Sequence, residues 1–76
     1  MEPKNYTFIS TPGHGFLIVP IKDVAQVGFK PSGCSWNDGR NWSLEEDCDA
    51  PGFLDAAKGI FNITYTESHK ENYGRY

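Results

Sequence analysis

An α+β fold is what this sequence predicts: seven elements in the order β-β-α-β-β-α-β, a mainly antiparallel sheet, and two short helices on one face of it. Three observations lead there. Short apolar runs, alternating or unbroken, are separated by Gly, Pro, Asn and Asp. Two other runs carry the i, i+3, i+4 spacing of a helix between a proline near the start and a glycine near the end. Residues 41–54 (NWSLEEDCDAPGFL) pass within one stretch from a strand through an acidic corner into a helix.

Residues 6–10 (YTFIS) are rich in aromatic and β-branched side chains and predict the first strand. In the TPGHG segment that follows, Pro12 presets a turn and Gly13 supplies the positive φ that the next position needs. Residues 16–19 (FLIV) form an unbroken apolar run, which suits a strand covered on both faces or a central strand beside one helix layer, and closes a hairpin with the first. Pro20 opens and Gly28 closes a helix of two turns, with Ile21, Val24 and Ala25 on its apolar stripe and Lys22, Asp23 and Gln26 facing water. So short a helix holds only if it packs on a sheet. Residues 29–33 (FKPSG) are a loop by composition.

Residues 34–44 predict two short strands about an Asn-Asp-Gly turn. A two-residue turn at Asp38-Gly39 would pair Asn37 with Arg40 and send Trp36 and Trp42 to opposite faces. A three-residue loop with Gly39 left-handed pairs Trp36 with Arg40 and Cys34 with Trp42. That register gathers Cys34, Trp36, Trp42 and Leu44 on one face, with Ser35, Asn41 and Ser43 on the other, and is the one expected because a slip of one residue misplaces every side chain.

Beyond the acidic corner, Asp49 or Asp47 is placed to cap a second helix, Pro51 fits its first turn, Phe53, Leu54 and Ala57 form the buried stripe, and Lys58-Gly59 ends it. Residues 60–66 (IFNITYT) alternate as a strand, Phe61, Ile63 and Tyr65 against Asn62, Thr64 and Thr66. From Glu67 the chain is polar and is expected to be an edge extension or a tail.

At 76 residues the chain makes one domain. Its apolar share of 38% is low, but 14% of the residues are aromatic, and rings of roughly 150–250 Å² each can build the core. Ten acidic residues stand against seven scattered basic ones, a balance that argues against a nucleic-acid backbone as partner. The longest apolar run is too short to span a bilayer, and the start MEPKNYTF lacks the basic and apolar regions of a secretory signal. A cytosolic chain is therefore expected, with Cys34 and Cys48 reduced, Cys34 in the core, and the sequons at Asn5, Asn41 and Asn62 without meaning.

The candidate functional residues are the acidic corner, Glu45, Glu46, Asp47 and Asp49, and His14 between two glycines. The carboxylates suit a basic partner or a hard cation, or serve as a solvated corner that caps a helix; the EF-hand spacing is missing. Histidine as a residue type suits proton transfer or ligand binding, and the glycines on either side of His14 permit close backbone approach, although an exposed hairpin turn is the simpler account. Cys34, Cys48, His14 and His69 match none of the paired spacings of a zinc site, and Cys48 beside four carboxylates makes a poor nucleophile for a His69 base. Trp36, Trp42, Tyr65, Tyr73 and Tyr76 could stack on single-stranded nucleic acid, but core packing explains the first three with less, and the net charge opposes it.

The motifs GHGFLIVP (residues 13–20) and LEEDCDAPGFLDA (residues 44–56), with a Gly-bearing hairpin between them, resemble a family of small proteins carried by bacteriophages and prophages. The likeness covers roughly residues 12–58, and Trp36 stands where the family pattern has Tyr or other residues. It implies an origin and assigns no catalytic residue. The expectation is a non-enzymatic accessory protein, without metal or cofactor, monomeric or a small homo-oligomer, that binds a host protein in the host cytoplasm for host takeover or against host defence. The alternatives are a small enzyme using His14 with the acidic corner, with or without a metal, and a single-strand binder.

Overall fold

The computed structural model describes residues 1–71 and has the expected element order. The elements are β1 (Glu2–Thr11), β2 (His14–Pro20), α1 (Ile21–Val27), β3 (Trp36–Asn37), β4 (Asn41–Glu45), α2 (Ala50–Ala57) and β5 (Phe61–His69). They form one five-stranded sheet in the order β3-β4-β2-β1-β5, antiparallel throughout except that β5 runs parallel to β1.

The first hairpin turns at Pro12-Gly13, with Thr11 opposite His14 and Gly13 at φ +91°, the conformation glycine adopts without a steric penalty. Its second strand lies in the middle of the sheet, which is why residues 16–19 are apolar without interruption. Leu17 and Val19 face the helices; Phe16 and Ile18 face the other way. Tyr6, Leu17, Val19, Leu44 and Phe61 of the sheet pack with Val24 of α1 and with Ala50, Phe53 and Ala57 of α2, so both helices cover one face. Burying a side chain such as Phe53, Leu17 or Leu44 contributes about 1.5–3 kcal/mol.

The strands β1 and β5 are longer than the apolar pattern indicates. Their parallel ladder runs from Glu2 opposite Phe61 to Ser10 opposite His69 and recruits the polar residues Glu2 to Asn5 and Glu67 to His69. Glu2 N–H donates to the Ile60 carbonyl and Lys70 N–H to the Ser10 carbonyl, so the even-numbered backbone groups of β1 turn toward β5. Pro3, lacking an N–H, then sits on the side facing β2, where the β1–β2 ladder has not yet begun. Of the two readings of the chain from Glu67, the edge extension holds as far as His69; residues 72–76, with Tyr73 and Tyr76, lie outside the described residues.

Two expectations about side-chain direction are corrected. The first concerns the middle hairpin. Trp36 pairs with Ser43 and Asn37 with Trp42, a register that neither proposed turn produces. The chain spends four residues, Asp38 to Asn41, on the bend: Asp38 Oδ1 accepts the N–H groups of Arg40 and Asn41 at 2.9 and 2.8 Å, and Asn37 Oδ1 accepts that of Gly39. Trp42 and Leu44 therefore share the helix-covered face, while Trp36 lies with Ser43 on the opposite one, and the two indoles do not meet. Trp36 instead packs edge-on against Phe16, 6.5 Å between ring centroids, in a second small cluster that leaves Phe16 only 7% exposed.

The second correction is on α1, whose packed side holds Asp23 and Val24 while Ala25 is exposed. Asp23, expected to face water, is 2% exposed. The helix ends as expected, with Gly28 left-handed at φ +80° and its N–H on the carbonyls of Val24 and Ala25.

Candidate functional site

The acidic corner follows β4 and divides its carboxylates among different tasks. Glu45 lies on the face away from the helices, paired with Phe16. Its Oε2 accepts a 2.9 Å hydrogen bond from His14 Nδ1, and its Oε1 accepts the Asp47 N–H at 2.7 Å. His14 and Glu45, separated by 31 positions in sequence, are thus brought together at one rim of the sheet. Glu46 is next in line, its N–H on the Gly15 carbonyl at 2.8 Å, and it falls on the helix side. Glu46 and Asp47 are exposed, and among the described residues neither carboxylate is in an ion pair.

Asp49 does not join this rim. It occupies the N-cap position of α2 but makes no capping hydrogen bond through its side chain. It is 6% exposed, and its Oδ2 accepts hydrogen bonds from Ser32 N–H at 2.9 Å, Ser32 Oγ at 3.0 Å and Ser35 Oγ at 2.6 Å. Charge-assisted bonds of this kind hold the 32–35 loop against the start of α2. The same loop is joined covalently: Cys34 and Cys48 form a disulfide, with their Cα atoms 6.5 Å apart. Both cysteines are exposed, which overturns the expectation of two reduced thiols with Cys34 in the core. Cys34 leaves the core because residues 33–34 form a turn ahead of β3 that brings it to Cys48.

Beside Glu46 lies an apolar cleft of about 130 Å³, walled by Phe8, Leu17, Ala50, Pro51, Leu54 and Tyr65, with Glu46 its one charged lining residue. Phe8 and Tyr65, on neighbouring strands, form one side with ring centroids 5.9 Å apart. Gly15 makes this arrangement possible. A Cβ there would stand 2.6 Å from Phe8 Cζ and 2.9 Å from Glu46 Oε1, so only glycine lets the ring and the carboxylate close over the strand. Tyr65 is 52% exposed and keeps one side of the cleft open to solvent. Sequence reasoning did not identify the cleft, although a second glycine three residues into the GHGFL run was a signal of close approach.

A polar cluster closes the other end of the sheet. Tyr6 donates to Asp23 Oδ2 at 2.9 Å, and Lys4 Nζ lies 3.4 Å from the same oxygen and 3.1 Å from Glu2 Oε2. Burial, reinforced by the Asp23 carboxylate, pushes the Tyr6 phenol well above its ordinary pKa, and the hydrogen bond to Glu2 raises that of Lys4. Both shifts move away from neutrality, so these groups are held in their usual protonation states and act as a brace for buried Asp23.

Among the described residues no group of three or more His, Cys, Asp and Glu is arranged to hold a metal ion. His69 lies near Ser10 and Glu71. Trp36 and Trp42, on opposite faces, provide no common stacking platform. No helix in the described residues is long and apolar enough to cross a membrane. Compared with protein-family models, with curated proteins and with solved structures, the chain finds no match.

Proposed function

We propose that this is a non-enzymatic, phage-encoded accessory protein that binds a basic surface of a host protein through the rim formed by His14, Glu45, Glu46 and Asp47. The observation that carries the reading is the pair of exposed carboxylates, Glu46 and Asp47, without an ion-pair partner among the described residues, of which Glu46 lines an apolar cleft. Charge at the edge of an apolar patch steers encounter and fixes register, while the patch supplies affinity. The likeness of residues 13–20 and 44–56 to phage proteins supports the choice of a host protein as partner, in host takeover or in blocking a defence. Asp49 is left out of the contact surface, because its carboxylate is spent on Ser32 and Ser35.

The host cytoplasm is the working location, and the exposed disulfide is the observation that weighs against it, since such bonds are rare in a reducing compartment. Thiol labelling of the protein taken from infected cells decides between the two. For the binding reading, the test is capture from host lysate by the native chain and by the E46K/D47K variant, which leaves the Glu45 hydrogen bonds in place. Loss of the captured protein with an unchanged circular dichroism spectrum supports the reading; equal capture overturns it.

A further inference from the structure

We propose that the cleft between α2 and the β1–β5 ladder is a lysine-side-chain site, taking the alkylammonium of a partner's lysine with its stem on the apolar walls and its charge on Glu46. This deepens the binding reading given above and rests on it.

Three observations point to that chemistry. The lining is apolar except for one carboxylate, and that carboxylate stands beside an aromatic ring, Phe8, whose neighbour Tyr65 completes the wall. A cation on an aliphatic stem satisfies both: methylenes displace water from Pro51, Leu54 and Tyr65, and the ammonium meets the negative charge of Glu46. An anion would be repelled by Glu46, and a purely apolar group would desolvate that carboxylate without pairing it. The size agrees. A cleft of about 130 Å³ is on the scale of one short side chain, such as that of lysine, for which n-butylammonium stands. A guanidinium on three methylenes is larger. The local charge agrees as well: Glu67, opposite Phe8 in the ladder, lies on the same face, and the chain as a whole carries −3.

The position of Gly15 ties the site to the sequence. Phe8 and Glu46 approach one another over a residue with no side chain, so the carboxylate is held at the ring edge by the strand register.

The test uses the intact chain, labelled with nitrogen-15, and n-butylammonium chloride as probe. Saturable shifts of the Glu46, Leu54 and Tyr65 amides, with a dissociation constant on the order of 10 mM, are expected. Two comparisons make the result specific: 1-butanol, of equal length and uncharged, and the E46Q variant, each expected to bind about tenfold more weakly. No saturable shift, equal binding of 1-butanol, or full binding by E46Q overturns the site. Tighter binding of n-propylguanidinium overturns the assignment to lysine. Because these titrations need no host protein, the cleft can fail while the E46K/D47K capture experiment still succeeds, and the reverse.

Discussion

The Tyr6 hydroxyl donates a 2.9 Å hydrogen bond to Asp23 Oδ2, and this bond fastens α1 to the first strand at a point where both groups are out of water. Replacing Tyr6 by Phe keeps the ring against Phe53 and removes only the donor. A buried carboxylate that loses such a bond costs about 1–3 kcal/mol, and Y6F should lower stability by that amount in urea denaturation; no change would show that Lys4 alone satisfies Asp23.

The same bond predicts behaviour at high pH. The folded pKa of Tyr6 is raised, so the stability it contributes is complete below the ordinary phenol value of about 10 and is lost as pH rises past it. In an absorbance titration near 295 nm, Tyr6 should ionise only with unfolding. Ionisation of every tyrosine near the ordinary value, with the fold intact, would contradict the buried bond.

Asp38 sets the middle hairpin, and its carboxyl is held below the usual range first by the Asn41 N–H and then by that of Arg40. A depressed folded pKa contributes stability above the unfolded value of about 3.9 that disappears as pH falls through the folded one. The carbon-13 shift of the Asp38 carboxyl should therefore titrate lower than that of a free peptide. In D38A the Trp42 amide environment should change while Phe53 stays buried; an unaltered hairpin would mean that Gly39 alone fixes the register.

The Cys34–Cys48 disulfide closes a loop with a sequence separation of 14, for which the entropic contribution is about 3 kcal/mol. Reduction, or the C34S/C48S variant, should lower stability by roughly that much and speed amide exchange in residues 31–35, while the three hydrogen bonds to Asp49 keep the loop near α2. An equal melting temperature with and without reductant would contradict this.

Gly15→Ala separates packing from binding. The atoms its Cβ would meet are the far ends of the Phe8 and Glu46 side chains, which can move aside, so the stability loss should be modest, about 1 kcal/mol. The cleft, however, should lose its shape, and n-butylammonium should bind several-fold more weakly. Undiminished binding would show that Phe8 and Glu46 need not close over Gly15.

How much of this was legible in the sequence depended on whether short-range chemistry decided it. The turn at Pro12-Gly13, the stop at Gly28, the entry of Pro51 into α2 and the central place of residues 16–19 beside one helix layer all follow from local rules, and each is found. Three features were not legible because the apolar pattern does not encode the polar side-chain bonds that decide them. Asp23 read as a solvent-facing acid, since nothing near it announces Tyr6 and Lys4. The hairpin register read as three residues, because the apolar pattern rewarded gathering the indoles, while the Asp38 side chain bonds two residues further on and the second face of the sheet offered Trp36 its own packing against Phe16. The acidic corner read as one patch of charge, but its chain path turns Glu45 to His14, Glu46 to the cleft and Asp49 inward to two serines.

The parallel ladder between residues 2–10 and 61–69 has a kinetic consequence. It joins strands at the two extremes of the described chain, so closing the sheet brings together segments nearly sixty positions apart. Non-local pairing of this kind is late and slow. Until the last strand docks, β1 presents its bare hydrogen-bonding side to other chains, and a newborn molecule is exposed to misassembly during that interval.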